Sequence, residues 1–139
     1  MDVDKLLKAL DNEENKKFMN LTTTKINKMK MEILKELHLS SSMLADYSKK
    51  LKEYAYIDEM SELCYGSFIR WIPIKDLDNI YLTHGGIICD IKVADNGVNI
   101  VCKNFAHKHY QIKLDECLIF QKLSSQEQVL LSALDFLDK

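Results

Sequence analysis

The sequence predicts an α+β protein in which N-terminal helices pack on a five-stranded antiparallel SH3-like barrel that is followed by a C-terminal helix. Apolar residues have helical spacing before Gly66 and alternate with polar residues after it. All glycines and the only proline lie from Gly66 onward, where tight turns need them. With 139 residues, 47% of them apolar, the chain can bury a core. We place the helical region at 1–62 and the barrel with its helix at 63–139.

Two helices are predicted before His38. The first carries Val3, Leu6, Leu7 and Leu10 on one face and ends near "DNEEN". The second follows the threonines at 22–24, which can cap it, and ends around His38. Its apolar face holds Ile26, Met29, Ile33, Leu34 and Leu37.

The sequence of the segment 22–63 allows two structural interpretations. Heptad spacing of apolar residues would make it one long coiled-coil helix. Lys30 and Ser40 interrupt that seam, and the serines at 40–42 compete with the helix backbone for hydrogen bonds. We therefore favour two helices joined by a turn and keep the long helix as the alternative. The second helix would carry a stripe of Leu44, Tyr47, Leu51, Tyr54 and Ala55.

Five short strands are predicted after Tyr65. They are "SFIRWI", "GIICDIKV", "VNIVCKNF", "HYQIKL" and "CLIFQKL", and an Asn-Gly pair joins the second to the third. Alternation places Ile87, Cys89, Ile91 and Val93 inward on the second strand, Val98, Ile100 and Cys102 on the third, and Tyr110, Ile112 and Leu114 on the fourth.

The last predicted element is the helix "SSQEQVLLSALDFLDK". Ser124 and Glu127 fit a capping box at its start. Leu130, Ala133, Leu134 and Leu137 form its apolar face. Because so short a helix is marginal alone in water, we expect it to pack on the barrel or on the N-terminal helices.

Composition indicates an intracellular protein in a reducing compartment. No apolar run approaches the roughly 20 residues of a membrane-spanning helix, and "MDVDKLLKALDNEEN" is too acidic for a secretory or mitochondrial signal. The cysteines lack a Cys-x-x-Cys motif, so we expect free and mostly buried thiols rather than a zinc site or disulfides. They are Cys64, Cys89, Cys102 and Cys117.

The stretch "GSFIRWIPI" holds the only tryptophan, the only arginine and the only proline of the chain. Strand alternation puts Trp71 on one face and Phe68 with Arg70 on the other. The structural interpretation pairs Arg70 with a carboxylate from Asp58, Glu59 or Glu62 at a seam between barrel and helices. The functional interpretation makes Arg70 and Trp71, with the adjacent Phe68, a partner-binding edge, because arginine and tryptophan are enriched at interface hot spots.

No catalytic pattern accompanies these elements. His38, His84, His107 and His109 fit no arrangement of nucleophile and base, and no phosphate-cradling glycine loop occurs. The stretch "HKH" is read as a polar hairpin tip, since no third metal ligand is indicated. We therefore expect a non-enzymatic protein without a cofactor, a metal or a small-molecule substrate.

The stretch "ILKELHLSSSMLADYSKKLKEYAYI" resembles the helix-turn-helix of winged-helix DNA-binding proteins. The resemblance implies that Ser41, Ser42, Lys49 and Lys50 face a DNA groove. Residues Lys16 to Glu53 are net basic, although the whole chain has a net charge of −2. DNA binding by these residues, in a regulator or a genome-associated protein, is thus the alternative function.

The second half, with "YGSFIRWIP", "LTHGGIICDIKV" and "IFQKL", resembles a poorly characterised family of small proteins of large DNA viruses. The resemblance covers roughly Tyr56 to Leu137 and implies a viral setting, with the protein in virions and in the host cytoplasm or nucleus. We accordingly expect a binding or scaffold protein that can be packaged in particles and that contacts a protein partner or associates with itself. Nucleic acid is the alternative partner, and no membrane contact is expected.

Overall fold

The computed structural model, which describes residues 3–11 and 22–137, has α+β architecture with an open antiparallel sheet. Its helices are α1 (Val3–Asp11), α2 (Thr23–Lys35), α3 (Ser41–Lys50) and α4 (Ser125–Leu137). Its strands are β1 (Tyr54–Ile57), β2 (Phe68–Pro73), β3 (Gly86–Ala94), β4 (Gly97–Lys103), β5 (His109–Lys113) and β6 (Cys117–Lys122), in the sheet order β1-β6-β2-β3-β4-β5. The class and the C-terminal helix agree with the prediction.

The chain divides into two compact units. Met1–Ile33 and Leu123–Lys139 form the first, and Leu34–Lys122 forms the second, which contains α3 and the whole sheet. None of the helices in the described residues is long and apolar enough to cross a membrane.

In the first unit, α4 packs against α1, which is one of the two placements expected for it. The backbone N–H of Thr23 at the start of α2 donates to Asp135 Oδ1 of α4 at 2.8 Å. The capping box of α4 is confirmed: Ser124 N–H donates to Glu127 Oε1 at 2.8 Å, and Glu127 N–H donates to Ser124 Oγ at 3.1 Å.

The apolar faces predicted for the N-terminal helices are only partly right. In α2 the buried residues are Ile26, Lys30 and Leu34, one helical turn apart, while Met29 is exposed. Lys30 therefore belongs to the buried stripe. In α1, Val3 and Leu7 are exposed, and the side chains of the remaining apolar positions lie outside the described residues, as does the stretch 12–21.

Two helices, not one, occupy the segment after Thr22. The chain leaves α2 through a turn in which His38 has φ 53, a left-handed conformation that no continuous helix contains. Ser40 then caps α3, its side chain accepting from Met43 N–H at 3.2 Å. The long coiled-coil helix is therefore excluded.

The sheet has six strands where the sequence predicts five. The additional strand is β1, whose residues Tyr54 and Ala55 the sequence placed in a helix; that prediction is wrong. The chain turns at Leu51–Glu53, and "YAYI" then pairs with β6 from Tyr54 opposite Lys122 to Ile57 opposite Ile119. Aromatic and β-branched residues favour such a half-buried strand, and β6 supplies the hydrogen-bonding partner.

A bulge in β3 reverses part of the predicted alternation. The pairing with β4 shifts between Ile88 and Asp90, so that Cys89 is the extra residue. Ile88 is consequently buried, and Ile87 and Cys89, which the sequence placed inward, are exposed. Val93 is also exposed, whereas Ile91 packs against the core as predicted.

The core of the sheet unit lies on one face of the sheet. It contains Ile57, Leu63, Ile69, Trp71, Ile88, Ile100, Cys102 and Ile119. On the opposite face Ile72 and Phe120 are also fully buried, so the centre of the sheet is covered on both sides. The cysteines are free as expected, although only Cys102 is fully buried.

Candidate functional site

The loop 74–85 between β2 and β3 is fastened to the sheet by Thr83. Its backbone N–H donates to Trp71 O at 3.0 Å, and its hydroxyl donates to the same oxygen at 3.0 Å. The hydroxyl also accepts from Trp71 N–H at 3.2 Å. One threonine thus occupies both backbone groups of Trp71, which fixes Tyr81, Leu82 and His84 beside that tryptophan.

Arg70 contributes to the same attachment. Its Nε–H donates to the carbonyl of Thr83 at 2.8 Å, so the expected pairing with Asp58, Glu59 or Glu62 is replaced by a bond to the main chain. Burial raises the pKa of Tyr54, and the nearby charge of Arg70 partly offsets this increase. Arg70 is half-buried and holds the loop in place.

The end of the loop passes very close to β2. Gly85 has φ +86, and a Cβ atom there would overlap the carbonyl oxygen of Ile69 and approach Arg70 Cγ to 3.0 Å. Only glycine accepts both the left-handed conformation and this proximity. Gly85 therefore sets how closely the loop lies on the sheet.

Four aromatic side chains line an open groove of about 700 Å³ between the loop 74–85 and the β4–β5 hairpin. We name it the aromatic groove. The aromatic residues are Trp71, Tyr81, Phe105 and Tyr110, and Leu82, Thr83, His84, Gly85, Asn104 and Ala106 complete the lining. Tyr81, Phe105 and Tyr110 are 47%, 85% and 39% exposed, which is unusual for side chains that mostly bury their rings.

Ring contacts hold two walls of the aromatic groove. Trp71 meets Tyr110 edge to face, with ring centroids 6.4 Å apart. Phe105 stacks on Phe68 at 5.6 Å, which supports an otherwise exposed ring from behind. Lys108 Nζ lies 5.3 Å from the centroid of Tyr110, so the face of this ring accepts a cation.

A second opening of about 390 Å³, the polar cleft, adjoins the aromatic groove and shares Trp71 and Tyr81 with it. Its remaining lining is Pro73, Asn96, Asn99, Gln111, Ile112, Lys113, Glu116 and Cys117. Asn99 is only 5% exposed, and its Oδ1 is buried without a hydrogen-bond partner. Tyr110 lines the aromatic groove and Gln111 to Lys113 line the polar cleft, so β5 borders both openings.

The three residues predicted to bind a partner have different structural roles. Trp71 is largely buried in the core and forms the common wall of both openings. Phe68 supports Phe105, and Arg70 anchors the loop through Thr83. The structure therefore connects the three to one site, with Trp71 lining it and the other two supporting it.

The residues predicted to face DNA are all exposed on α3. Lys49 makes no ion pair within the described residues, whereas Lys50 Nζ pairs with Asp46 Oδ2 at 2.9 Å. Ser42 Oγ lies 3.3 Å from the capping hydroxyl of Ser40. The surface thus carries both signs of charge, which weakens its attraction for phosphates.

Sequence reasoning did not identify Tyr81, Phe105, Tyr110 or Asn99 as site residues. Phe105 could have been identified from the sequence, because an aromatic residue at the tip of a hairpin lies too far from the core to be buried. The histidines of "HKH" lie at that hairpin, with His107 at φ 62 in the turn and His109 opening β5. Within the described residues, no group of three or more histidine, cysteine, aspartate or glutamate side chains could hold a metal ion.

Comparison of the chain with protein-family models, with curated proteins and with solved structures finds no match to any of them.

Proposed function

We propose that residues 34–122 form a non-enzymatic module that binds an extended polypeptide segment of a partner protein. The observation that carries this proposal is the aromatic groove, in which three exposed aromatic rings and Trp71 converge. Exposed apolar patches of this kind mark interaction sites in soluble proteins. Aromatic side chains also supply most of the hot-spot energy in protein interfaces.

The position of β5 supports an extended ligand. It is an edge strand of the sheet, and a peptide added beside it can use main-chain hydrogen bonds for affinity. Side chains at alternate positions of such a peptide would enter the aromatic groove and the polar cleft, which both adjoin β5. The groove would take an apolar or aromatic side chain, because its walls are rings and its polar groups lie at few positions.

No reaction is part of the proposal. The hydroxyl of Thr83, next to His84 in the groove wall, is committed to both backbone groups of Trp71 and is not poised as a nucleophile. We also propose that β2 to β6 curl into the SH3-like barrel that the sequence predicts, as a strongly bent sheet that stays open at the outer edge of β5. The sheet order β6-β2-β3-β4-β5 and the 3-10 turn Leu114–Glu116 before β6 support this.

The viral resemblance supplies a setting for the module. A small binding protein of a large DNA virus would use the groove to attach to a virion or host protein. Self-association is the alternative partner choice, and sedimentation at several concentrations distinguishes it from binding to another protein.

The test is selection of peptides from a displayed random library with the full-length chain. We expect enriched peptides whose affinity falls at least about tenfold in Tyr81→Ala and Phe105→Ala. Leu77→Ala is the matched control, because Leu77 is 70% exposed and lines neither opening. Absence of enriched peptides, or equal affinity of all variants, would refute the proposal.

DNA binding through α3 is the second candidate, and the exposure of Ser41, Ser42, Lys49 and Lys50 favours it. The Lys50–Asp46 ion pair opposes it.

A further inference from the structure

The β4–β5 hairpin is basic within a chain that is slightly acidic overall. Residues 102–114 contain three lysines and two histidines but no aspartate or glutamate, whereas the whole chain has a net charge of −2. Lys113 Nζ lies 3.8 Å from the carboxylate of Glu116. Lys103 and Lys108 make no ion pair within the described residues. Uncompensated positive charge is therefore concentrated at the hairpin that borders the aromatic groove.

The tip of this hairpin holds Lys108 at the groove. Asn104 Oδ1 accepts from the backbone N–H of Ala106 at 3.0 Å and from that of Lys108 at 2.9 Å. Lys108 Nζ lies 5.3 Å from the centroid of Tyr110, whose ring lines the groove. Because both the backbone and the ammonium group of Lys108 are restrained, an ion pair with a ligand costs less conformational entropy than one with a free lysine.

The described residues that line the aromatic groove include no carboxylate. Asp76 and Asp78 of the loop 74–85 are exposed outside it, and Asp76 Oδ1 accepts from Asp78 N–H at 3.1 Å. His84, which does line the groove, is also exposed. A carboxylate of a ligand would thus meet Lys108 without repulsion from the groove walls, whereas an ammonium or guanidinium group would find no countercharge.

We propose that the module selects acidic segments of a partner protein. An apolar or aromatic side chain of the segment enters the aromatic groove, and an adjacent aspartate or glutamate pairs with Lys108. The inference rests on the proposed function, because it names the class of polypeptide that the groove and the β5 edge bind. Charge complementarity of this kind decides mainly which partners bind and how fast they associate.

The hydrogen bonds of the hairpin show which main-chain groups of β5 are available. Asn104 N–H donates to Lys108 O at 3.0 Å, and this pair continues the register in which Lys103 lies opposite His109. Bonded and unbonded pairs alternate along an antiparallel ladder. The N–H and C=O groups of His109, Gln111 and Lys113 therefore point away from β4, toward the outer edge of the sheet.

These edge groups favour a polypeptide over a nucleic acid. Exposed aromatic rings beside lysines are also found in proteins that bind single-stranded nucleic acids. A phosphodiester backbone offers only acceptors, however, whereas a polypeptide backbone offers a donor and an acceptor to the alternating groups of β5. The net charge of −2 also opposes a polyanion more strongly than a short acidic segment.

The test measures binding of three capped heptapeptides to the full-length chain. They share a central phenylalanine flanked by threonines and differ only in the remaining residues, which are all glutamate, all glutamine or all lysine. Trp71 is the only tryptophan of the chain and lines the groove, so its fluorescence reports binding. We expect the glutamate peptide to bind at least about fivefold more tightly than the glutamine peptide, and the lysine peptide to bind most weakly.

Charge reversal in the protein completes the comparison. Lys108→Glu should remove the preference for glutamate or turn it into a preference for lysine, whereas Lys108→Arg should keep the wild-type order. Lys122→Glu is the matched control, because Lys122 is exposed, lines neither opening and its substitution changes the net charge equally. The peptide series on the wild-type chain needs no substitution and remains decisive if a variant does not fold.

Three results would overturn the inference: equal affinity for the glutamate and glutamine peptides, no binding of any heptapeptide, or equal effects of Lys108→Glu and Lys122→Glu. An oligothymidylate is the remaining probe. If it binds more tightly than the glutamate peptide and Lys108→Glu abolishes its effect on Trp71 fluorescence, the ligand is a single-stranded nucleic acid and the inference is wrong. Weaker binding of the oligothymidylate supports the inference.

The outcomes also separate this inference from the proposed function. Groove-dependent peptides from the displayed library, together with heptapeptide binding that does not depend on charge, would refute this inference alone. Charge-dependent binding that Tyr81→Ala and Phe105→Ala leave unchanged would refute the role of the groove, and with it the proposed function, but not the selection of acidic segments by Lys108.

Discussion

At the scale of single residues, a comparison of Gly85 with Gly66 separates the energetic cost of backbone strain from that of steric crowding. Both have positive φ, but a Cβ at Gly66 would meet nothing within 4 Å, whereas one at Gly85 would overlap the main chain of β2. We expect Gly66→Ala to lower the free energy of unfolding by about 1 kcal/mol and Gly85→Ala by about 2 to 4 kcal/mol. Urea denaturation measures both, and equal losses would contradict the close approach.

The thiols should differ widely in reactivity. Burial, with smaller contributions from Cys89 and Cys117, raises the pKa of Cys102 to about 12. Burial, followed by Glu116 and Asp115, raises the pKa of Cys117 to about 11. Because the thiolate is the reactive form, we expect iodoacetamide at pH 8 to modify exposed Cys89 at least about a hundred times faster than Cys102.

Mass spectrometry of timed samples measures this order of alkylation. Unfolding in urea is the control, since it should bring all four rates together. Rapid alkylation of Cys102 in the folded chain would contradict its burial.

The site itself was only partly readable at this scale. The composition of "GSFIRWIPI" drew attention to Trp71, which does line both openings. The other aromatic walls, Tyr81 and Phe105, lie in loops without a periodic pattern, and Asn99 occupies an ordinary strand position. Their meeting depends on how the loop 74–85 folds back, which Thr83 and Gly85 determine through contacts distant in sequence.

At the scale of elements, the cap of α3 is a direct test of the turn between α2 and α3. Ser40→Ala removes the acceptor for Met43 N–H and should lower the free energy of unfolding by about 1 kcal/mol. Ser41→Ala is the matched control, because Ser41 is exposed within the helix and should change stability by only a few tenths of a kcal/mol. Urea denaturation of the pair measures the difference; equal effects would show that Ser40 is not the cap.

Elements were predictable where local signals agree with tertiary contacts. The turn at the serines before α3 and the capping box of α4 lie where the sequence places them. β1 was missed because Tyr54 and Ala55 also continue a helical stripe, and only pairing with β6 decides between strand and helix. The bulge at Cys89 was missed because one extra residue leaves the alternation of the sequence intact while it reverses the faces.

At the scale of the whole molecule, stability should depend on the protonation of Lys30. Burial lowers the pKa of Lys30 from 10.5 to about 8. Between these two values the unfolded chain binds more protons than the folded chain, so the contribution of Lys30 to stability rises with pH. Below pH 8 the folded chain carries a buried ammonium, and this contribution is at its lowest.

Lys30→Met tests this dependence because methionine does not titrate. The variant should be more stable than the wild type. This gain in the free energy of unfolding should be larger at pH 7 than at pH 10 by about 1 to 3 kcal/mol. Urea denaturation at both pH values measures it. Other groups that titrate in this range are present in both chains and cancel; a difference that does not change with pH would contradict the prediction.

The charge of the whole molecule bears on the DNA-binding alternative. With a net charge of −2 and the Lys50–Asp46 pair on α3, we expect weak binding to duplex DNA with a shallow salt dependence. Titrations at about 50 and about 200 mM salt measure this salt dependence, because phosphate contacts lose most of their affinity over that range. A steep salt dependence that disappears in the double variant Lys49→Glu, Lys50→Glu would instead establish the DNA-binding function. Unaltered affinity of that double variant would refute it.

The sequence by itself determined the α+β class, the helices after the threonines and serines, and the hairpin strands, since caps, turn residues and periodicity act over a few positions. Only the tertiary structure decided that Tyr54 to Ile57 form a strand, which way β3 faces from Ile87 to Cys89, and that Tyr81, Phe105 and Tyr110 gather around Trp71. These outcomes depend on hydrogen bonds and ring contacts between residues far apart in the chain, which no local pattern records.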